Sequence, residues 1–171
     1  MKHDLPYVVE PTGDARVDAL VERLHGDRAA LADALARHGA LLLTGFEVGD
    51  PEAFERVARS VTPDLKSEYL GTSPRDAVGR SGFVFSASEL PGWYPIPQHI
   101  EMTFTATPPE RLFLGCLTPA ARGGETPLAD MRAVARDLDP AVRDAFESRG
   151  IRTIRNYAGP DTPGGLDLWK L

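Results

Sequence analysis

The sequence predicts an α+β fold in which N-terminal helices precede a mainly β core. Apolar residues recur at helical spacing in the first third of the chain. From residue 83 onward, short apolar or alternating runs are separated by Pro- and Gly-containing turns. Helices followed by several short strands favour a sheet-rich sandwich or barrel with a helical front. A length of 171 residues suits one domain with a sizeable core, so we expect residues 1–171 to form a single domain.

The helices are predicted from apolar spacing and from capping residues. Asp27 is expected to be an N-cap, and Asp50 and Asp139 each precede a proline, the order typical of an N-cap followed by the first helical residue. Gly150 is expected to end the last helix. The predicted helices cover 14–25, 27–38, a segment from residue 50 to about 61, 130–137 and 139–149.

The strands are predicted from short apolar or alternating runs. A buried strand is expected at 40–46, where an apolar run ends at Gly45. Residues 62–82 are rich in Pro, Gly, Ser and Arg and read as a long loop, a feature that is often functional inside a compact domain. The other predicted strands are 83–88, 98–104, 111–117 and 151–155.

Composition excludes several classes of protein. The net charge is −6, whereas binding to a nucleic-acid backbone needs a basic face. The N-terminus lacks the apolar core of a signal peptide, and no apolar run is long enough to span a bilayer. Cys116 is the one cysteine and lies in an apolar run, so we expect a buried free thiol. These features together predict a cytoplasmic protein without nucleic-acid or membrane partners.

Two His-x-Asp/Glu pairs are present, and such a pair is a weak signal by itself. Four histidines and 25 acidic residues give roughly 0.6 such pairs by chance. In the first pair, His25 closes one predicted helix and Asp27 starts the next, so both have structural roles. In the second pair, strand alternation places His99 and Glu101 on the same face.

An imidazole and a carboxylate on one face are two of the three ligands of the facial triad that suits non-haem Fe(II). The alternative is a polar pair that faces solvent on an edge strand. Thr126 follows two adjacent glycines that suit a turn with positive φ. Its hydroxyl could donate a hydrogen bond to a carboxylate ligand, or it could simply follow a hairpin turn. For Asp130 we expect a helix cap.

Four motifs in register resemble the taurine catabolism dioxygenase (TauD/TfdA) family, in particular its syringomycin-type hydroxylase branch. They are "SPR" (73–75), "HIEM" (99–102), "GGETPLAD" (123–130) and "IRNY" (154–157), within a resemblance that covers roughly residues 38–157. The family fold is a double-stranded β-helix, or jelly roll, which agrees with the predicted strands.

The resemblance implies an oxygenase that uses Fe(II) and 2-oxoglutarate. His99 and Glu101 match the first His and the carboxylate of the iron triad, and Thr126 matches a threonine that helps to hold 2-oxoglutarate. Glutamate at the carboxylate position is similar to the subset that acts on amino acids or their derivatives, so hydroxylation of such a small molecule in natural-product biosynthesis is expected. Arg75 and the loop around Tyr69 fall in a region that lies near the substrate entrance in relatives, but we assign them no role, because a surface salt bridge or a turn residue explains them equally well.

The distal half of the family pattern has no counterpart in this sequence. No histidine follows His99, and the arginine expected to bind the far carboxylate of 2-oxoglutarate is also missing. We therefore expect an apparently truncated jelly roll, arising from a fragment, from a split enzyme or from an inactive relative with a binding or structural role. A second copy of the chain and a complementing C-terminal half stay open as partners.

Overall fold

The computed structural model describes residues 5–67, 75–87 and 95–154. Within these ranges the chain forms five helices and four short strands. The helices are α1 (Val17–Gly26), α2 (Arg28–His38), α3 (Pro51–Val61), α4 (Met131–Asp137) and α5 (Pro140–Arg149). The strands are β1 (Tyr7–Val9), β2 (Leu41–Leu43), β3 (Ala77–Val78) and β4 (Val84–Phe85).

The core lies between the first helices and the short β1–β2 sheet. Strands β1 and β2 pair in parallel, with Tyr7 opposite Leu41, and α1 and α2 form the connection between them. Helices α1 and α3 pack together through the buried side chains of Leu20, Leu24 and Val57. Their spacing along each helix places them on one face, as the apolar periodicity predicted. The sequence analysis did not anticipate β1.

The helix boundaries follow the predicted caps with one exception. The side chain of Asp50 accepts a hydrogen bond from the Ala53 backbone N–H at 2.7 Å, with Pro51 at the start of α3. The predicted caps at Asp130 and Asp139 are also confirmed, because each side chain accepts from the backbone N–H two residues later, and Gly150 ends α5 with a φ of 68°.

Asp27 is the exception. It lies between α1 and α2, but its side chain makes no capping hydrogen bond. Its carboxylate instead accepts from Arg23 Nε at 3.3 Å. A carboxylate that meets a guanidinium one turn earlier on α1 is drawn back along that helix, away from the first N–H groups of α2.

The described residues differ from the predicted mainly β core. Strands β3 and β4 form a two-residue antiparallel ladder in place of the longer strand expected at 83–88. No strand forms at 98–104 or 111–117, nor among the described residues of 151–155. A strand exists only where a second strand accepts its hydrogen bonds, and these segments meet none within the described ranges. The closed jelly roll implied by the resemblance is likewise not seen there.

The segment 111–117 lies across α3 as irregular chain. A Cβ atom added to Gly115 would stand 2.9 Å from the Phe54 ring, so only glycine permits this close approach. Arg111 also donates to the hydroxyl of Thr62 at 3.4 Å. Cys116 is exposed, which corrects the expected buried thiol. Only Phe113 of this segment is half-buried, so the Cys116 side chain is exposed together with its neighbours.

Candidate metal site

The short β3–β4 hairpin positions Arg75, the positively charged side chain of the candidate site. Val78 pairs with Val84, and the turn between β3 and β4 contains Gly79 and Gly82, both at positive φ. The pairing continues at its open end, where the Ser86 backbone N–H donates to the Asp76 carbonyl at 2.8 Å and the Ser86 hydroxyl accepts from the Asp76 N–H at 3.0 Å. Arg75 therefore lies next to the hydrogen-bonded end of the hairpin.

A tight turn, and not a strand, positions Glu101. Pro95 and Pro97 precede the site, and proline cannot donate to a β-ladder. Met102 has a φ of 53°, in the left-handed region, and its carbonyl accepts from both the backbone N–H of Thr105 (3.0 Å) and the Thr105 hydroxyl (2.8 Å). The alternation argument for this segment was therefore wrong about the backbone.

The turn nevertheless brings the two predicted ligands together. His99 Nε2 lies 3.6 Å from Glu101 Oε2. The Glu101 side chain is only 15% exposed, whereas that of His99 is 57% exposed. The carboxylate is thus withdrawn from bulk water and the imidazole stands at its outer side. The alternative interpretation, a polar pair that faces solvent on an edge strand, holds for the exposed imidazole but not for the carboxylate or the backbone.

The orientation of the His99 ring is fixed by the backbone. Nδ1 lies 2.8 Å from the carbonyl oxygen of Pro97. A carbonyl oxygen carries no proton, so Nδ1–H must donate in this hydrogen bond. In the neutral ring the lone pair is then on Nε2, the nitrogen nearest Glu101. A histidine that ligates a metal is commonly held by such a hydrogen bond from its other nitrogen.

The pair supplies two of the donor types that a divalent metal takes. One imidazole nitrogen and one carboxylate oxygen are two of the three ligands of the facial triad. Two adjacent ligands at right angles, each about 2.1 Å from a metal, lie about 3.0 Å apart. The observed 3.6 Å between Nε2 and Oε2 is close to that spacing. Among the residues that the structure describes, no group of three or more His, Cys, Asp or Glu side chains could hold a metal, so a third ligand would come from elsewhere.

Thr126 is not joined to this pair by a hydrogen bond within the described ranges. It is exposed and follows the turn at Gly123 and Gly124, whose φ values are 69° and 85°. A Cβ atom at Gly124 would stand 2.8 Å from the Cβ of Ala120, so the prediction of a turn that requires glycine is confirmed. The role of Thr126 in holding 2-oxoglutarate stays a prediction.

Arg75 is the residue that sequence reasoning left without a role. Its Nη2 atom lies 3.7 Å from Glu101 Oε2, and its side chain is only 18% exposed. The two residues are far apart in sequence, so the signal available in advance was the "SPR" motif itself. Tyr69 lies outside the described residues, as does the segment from Arg155 to Tyr157, which belongs to the "IRNY" motif.

Comparison with known proteins agrees with the motifs. A family model described as taurine catabolism dioxygenase TauD, TfdA family matches residues 4–165. The chain is 29% identical to the dapdiamide synthesis protein DdaC of Enterobacter agglomerans over 164 residues, which are 95% of this chain and 46% of that protein. It is 32% identical to a clavaminate synthase-like protein of Arabidopsis thaliana over 136 residues, 78% of this chain and 41% of that protein.

The chain therefore spans less than half the length of each of these two relatives. No helix among the described residues is long and apolar enough to cross a membrane. The match to the family model extends over nearly the whole sequence, including all four motifs. The chain belongs to the TauD/TfdA family.

Proposed function

We propose that this chain supplies two iron ligands, His99 and Glu101, to an Fe(II)- and 2-oxoglutarate-dependent oxygenase. The observation that carries the proposal is the pairing of His99 Nε2 with a largely buried carboxylate oxygen at 3.6 Å. Membership of a dioxygenase family supports the same chemistry. The names of the two relatives, one for dapdiamide synthesis and one clavaminate synthase-like, favour a biosynthetic reaction on a small molecule. The glutamate at position 101 favours an amino acid or amino-acid-derived substrate in natural-product biosynthesis.

The residues of this chain would have distinct tasks. Glu101 supplies negative charge and one oxygen ligand, and His99 supplies a neutral nitrogen ligand whose ring is held by the Pro97 carbonyl. Thr126 is proposed to contact 2-oxoglutarate. When bound, iron and 2-oxoglutarate supply the oxidising chemistry, and the protein supplies orientation and shielding from water. A small-molecule substrate would bind beside the pair.

Metal binding by the chain tests the pair directly. We expect Mn(II), an inert substitute for Fe(II), to bind the wild-type chain and to bind His99→Ala at least 10-fold more weakly, because two ligands become one. His25→Ala is the matched control, since His25 is exposed and belongs to the other His-x-Asp pair. Calorimetric titration measures the affinities. Equal affinity of wild type and His99→Ala would contradict the proposal.

Turnover tests the reaction itself. Succinate released on addition of Fe(II), 2-oxoglutarate and a panel of amino acids should depend on Glu101 and fall to background in Glu101→Gln. The assay uses the longest chain that the gene encodes. Absence of succinate across a broad panel, with or without substrate, would favour the alternative of an inactive relative with a binding role.

A further inference from the structure

We propose that Arg75 is a positioning residue that orients the carboxylate of Glu101 toward His99 and thereby raises the affinity of the pair for a divalent metal. The inference rests on the proposed function and adds to it a residue outside the set of ligands. It assigns a task to the loop residue just before β3, a position that the resemblance leaves without one.

One carboxylate oxygen is shared by the two neighbours. Oε2 of Glu101 lies 3.7 Å from Arg75 Nη2 and 3.6 Å from His99 Nε2. The guanidinium and the imidazole therefore approach the same atom from two different side chains. A group that fixes Oε2 also fixes the distance between the two ligands. This makes Arg75 a candidate for control of the geometry of the pair.

Burial explains why a cation is needed at this place. The side chains of Arg75 and Glu101 are 18% and 15% exposed. A carboxylate withdrawn from water is costly unless a positive group compensates it. At 3.7 Å the contact is electrostatic and not a short hydrogen bond. Arg75 can thus stabilise the partly buried anion without a close hydrogen bond to Oε2.

The hairpin holds the guanidinium in place. Arg75 Nη1 donates to the Ser86 carbonyl at 3.4 Å, while Nη2 faces Glu101. Ser86 is itself held by two hydrogen bonds with Asp76, one through its backbone N–H and one through its hydroxyl. The two ends of a planar fork therefore join a closed hairpin to the candidate ligand. A lysine has the charge but presents one ammonium group, so it cannot make both contacts with the same geometry.

Positioning and charge repulsion predict opposite results when the cation is removed. A positive guanidinium repels a divalent metal bound nearby, so its removal would tighten binding if charge were its main effect. If orientation of the carboxylate dominates, removal weakens binding, and loss of an outer-shell partner typically costs roughly 10- to 100-fold in metal affinity. The sign of the change therefore decides between the two effects.

The experiment is a Mn(II) titration of the chain, followed by electron paramagnetic resonance of the free ion. We expect Arg75→Gln to bind Mn(II) roughly 10- to 100-fold more weakly than wild type, and Arg75→Lys to fall between them. Arg80→Gln is the matched control, because Arg80 is an exposed arginine in the same hairpin. Unchanged or tighter binding by Arg75→Gln, or an equal loss in Arg80→Gln, would overturn the inference.

A double-mutant cycle without metal tests the contact itself. Urea unfolding of Arg75→Gln, Glu101→Gln and the double variant should be non-additive, with the Arg75 substitution costing less in the Glu101→Gln background. Additive effects would overturn the inference, because they would mean that the two side chains do not interact in solution.

The two hypotheses fail in different ways. If His99→Ala binds Mn(II) as wild type does, no site exists at this pair and the proposed function fails, and the inference fails with it. If His99→Ala loses affinity while Arg75→Gln keeps it, the site stands and only the role of Arg75 is wrong.

Discussion

At the scale of single residues, Glu55 shows how neighbours set the ionisation of a carboxylate. It lies on α3, accepts a hydrogen bond from the Ser81 hydroxyl and accepts another from Arg59 Nε at 2.6 Å. The Ser81 hydroxyl and then the Arg59 guanidinium lower the pKa of Glu55 below its ordinary value of 4.5. The guanidinium of Arg59 also stacks over the Phe83 ring at 4.2 Å. These contacts join α3 to the hairpin that bears Arg75.

We predict that the contacts of Glu55 with Ser81 and Arg59 make the free energy of unfolding depend on pH in the acid range. Because the folded-state pKa of Glu55 lies below the unfolded value, its contribution is fully present above pH 4.5 and is lost as the pH falls through the lower folded-state pKa. Glu55→Gln should therefore show a shallower loss of stability between pH 5 and the acid limit. Urea midpoints measured across this range check the prediction.

Glu22→Gln is the control for that series, since Glu22 is an exposed glutamate on α1. It should keep the wild-type pH dependence. If Glu55→Gln loses stability at acid pH as steeply as wild type does, other carboxylates account for the pH dependence.

At the scale of elements, Arg132 joins the C-terminal part of the chain to the N-terminal helices. Its Nη1 and Nη2 atoms donate to the carbonyls of Ala36 (2.5 Å) and Arg37 (2.9 Å) in the last turn of α2. The last four carbonyls of a helix lack intrahelical partners and favour positive charge. The carboxylate of the cap residue Asp130 accepts a hydrogen bond from Arg132 Nε at 3.2 Å. This hydrogen bond lowers the pKa of Asp130. One side chain thus connects α4 to α2.

We predict that Arg132→Gln loosens α4 while leaving the helical core intact. Loss of the two hydrogen bonds to α2 should lower the local opening free energy of α4 by about 1 kcal/mol, because the guanidinium is half exposed and its contacts are screened. Amide hydrogen exchange in α4 should then be roughly fivefold faster, with α1 unchanged. Arg136→Gln, on the same helix, should have no such effect. Equal exchange rates in wild type and Arg132→Gln would refute the connection.

At the scale of the whole molecule, burial is unevenly distributed. Among the described residues, the buried apolar side chains all lie between Val9 and Val84, and no residue in the range 95–154 is fully buried. Helices α4 and α5 have no buried residue, and the Phe146 side chain of α5 is 54% exposed. The stability of the chain therefore resides in its first half, while the candidate ligands and the last two helices lie in the second.

We predict that apolar substitutions in the two halves differ in their cost to stability. Leu20 of α1 is fully buried where α1 packs against α3. Leu20→Ala should cost about 2–5 kcal/mol of unfolding free energy. Phe146→Ser should change it by less than about 0.5 kcal/mol, because the ring contributes little burial. Urea unfolding of both variants checks this. A cost for Phe146→Ser as large as that for Leu20→Ala would mean that α5 is buried in solution.

The sequence predicted that His99 and Glu101 lie together, but not the backbone that brings them together. The structure places them 3.6 Å apart, through a turn at Met102 and not through a strand. Residues two apart can meet in either backbone, so the expected proximity is seen although the strand was wrong. Arg75 could not be found by spacing, because its approach to Glu101 depends on how the β3–β4 hairpin lies against the turn.

The sequence by itself determined the five helices and most of their ends, although α1 begins at Val17 and not at residue 14. A helix satisfies its hydrogen bonds within one segment, so local apolar spacing and residues such as Asp50 and Gly150 are enough to specify it. Family membership likewise followed from motifs along the chain. Only the tertiary structure decided which extended segments became strands and what surrounds Glu101. A strand and a buried ion pair both depend on partners distant in sequence, and no local pattern records where those partners will lie.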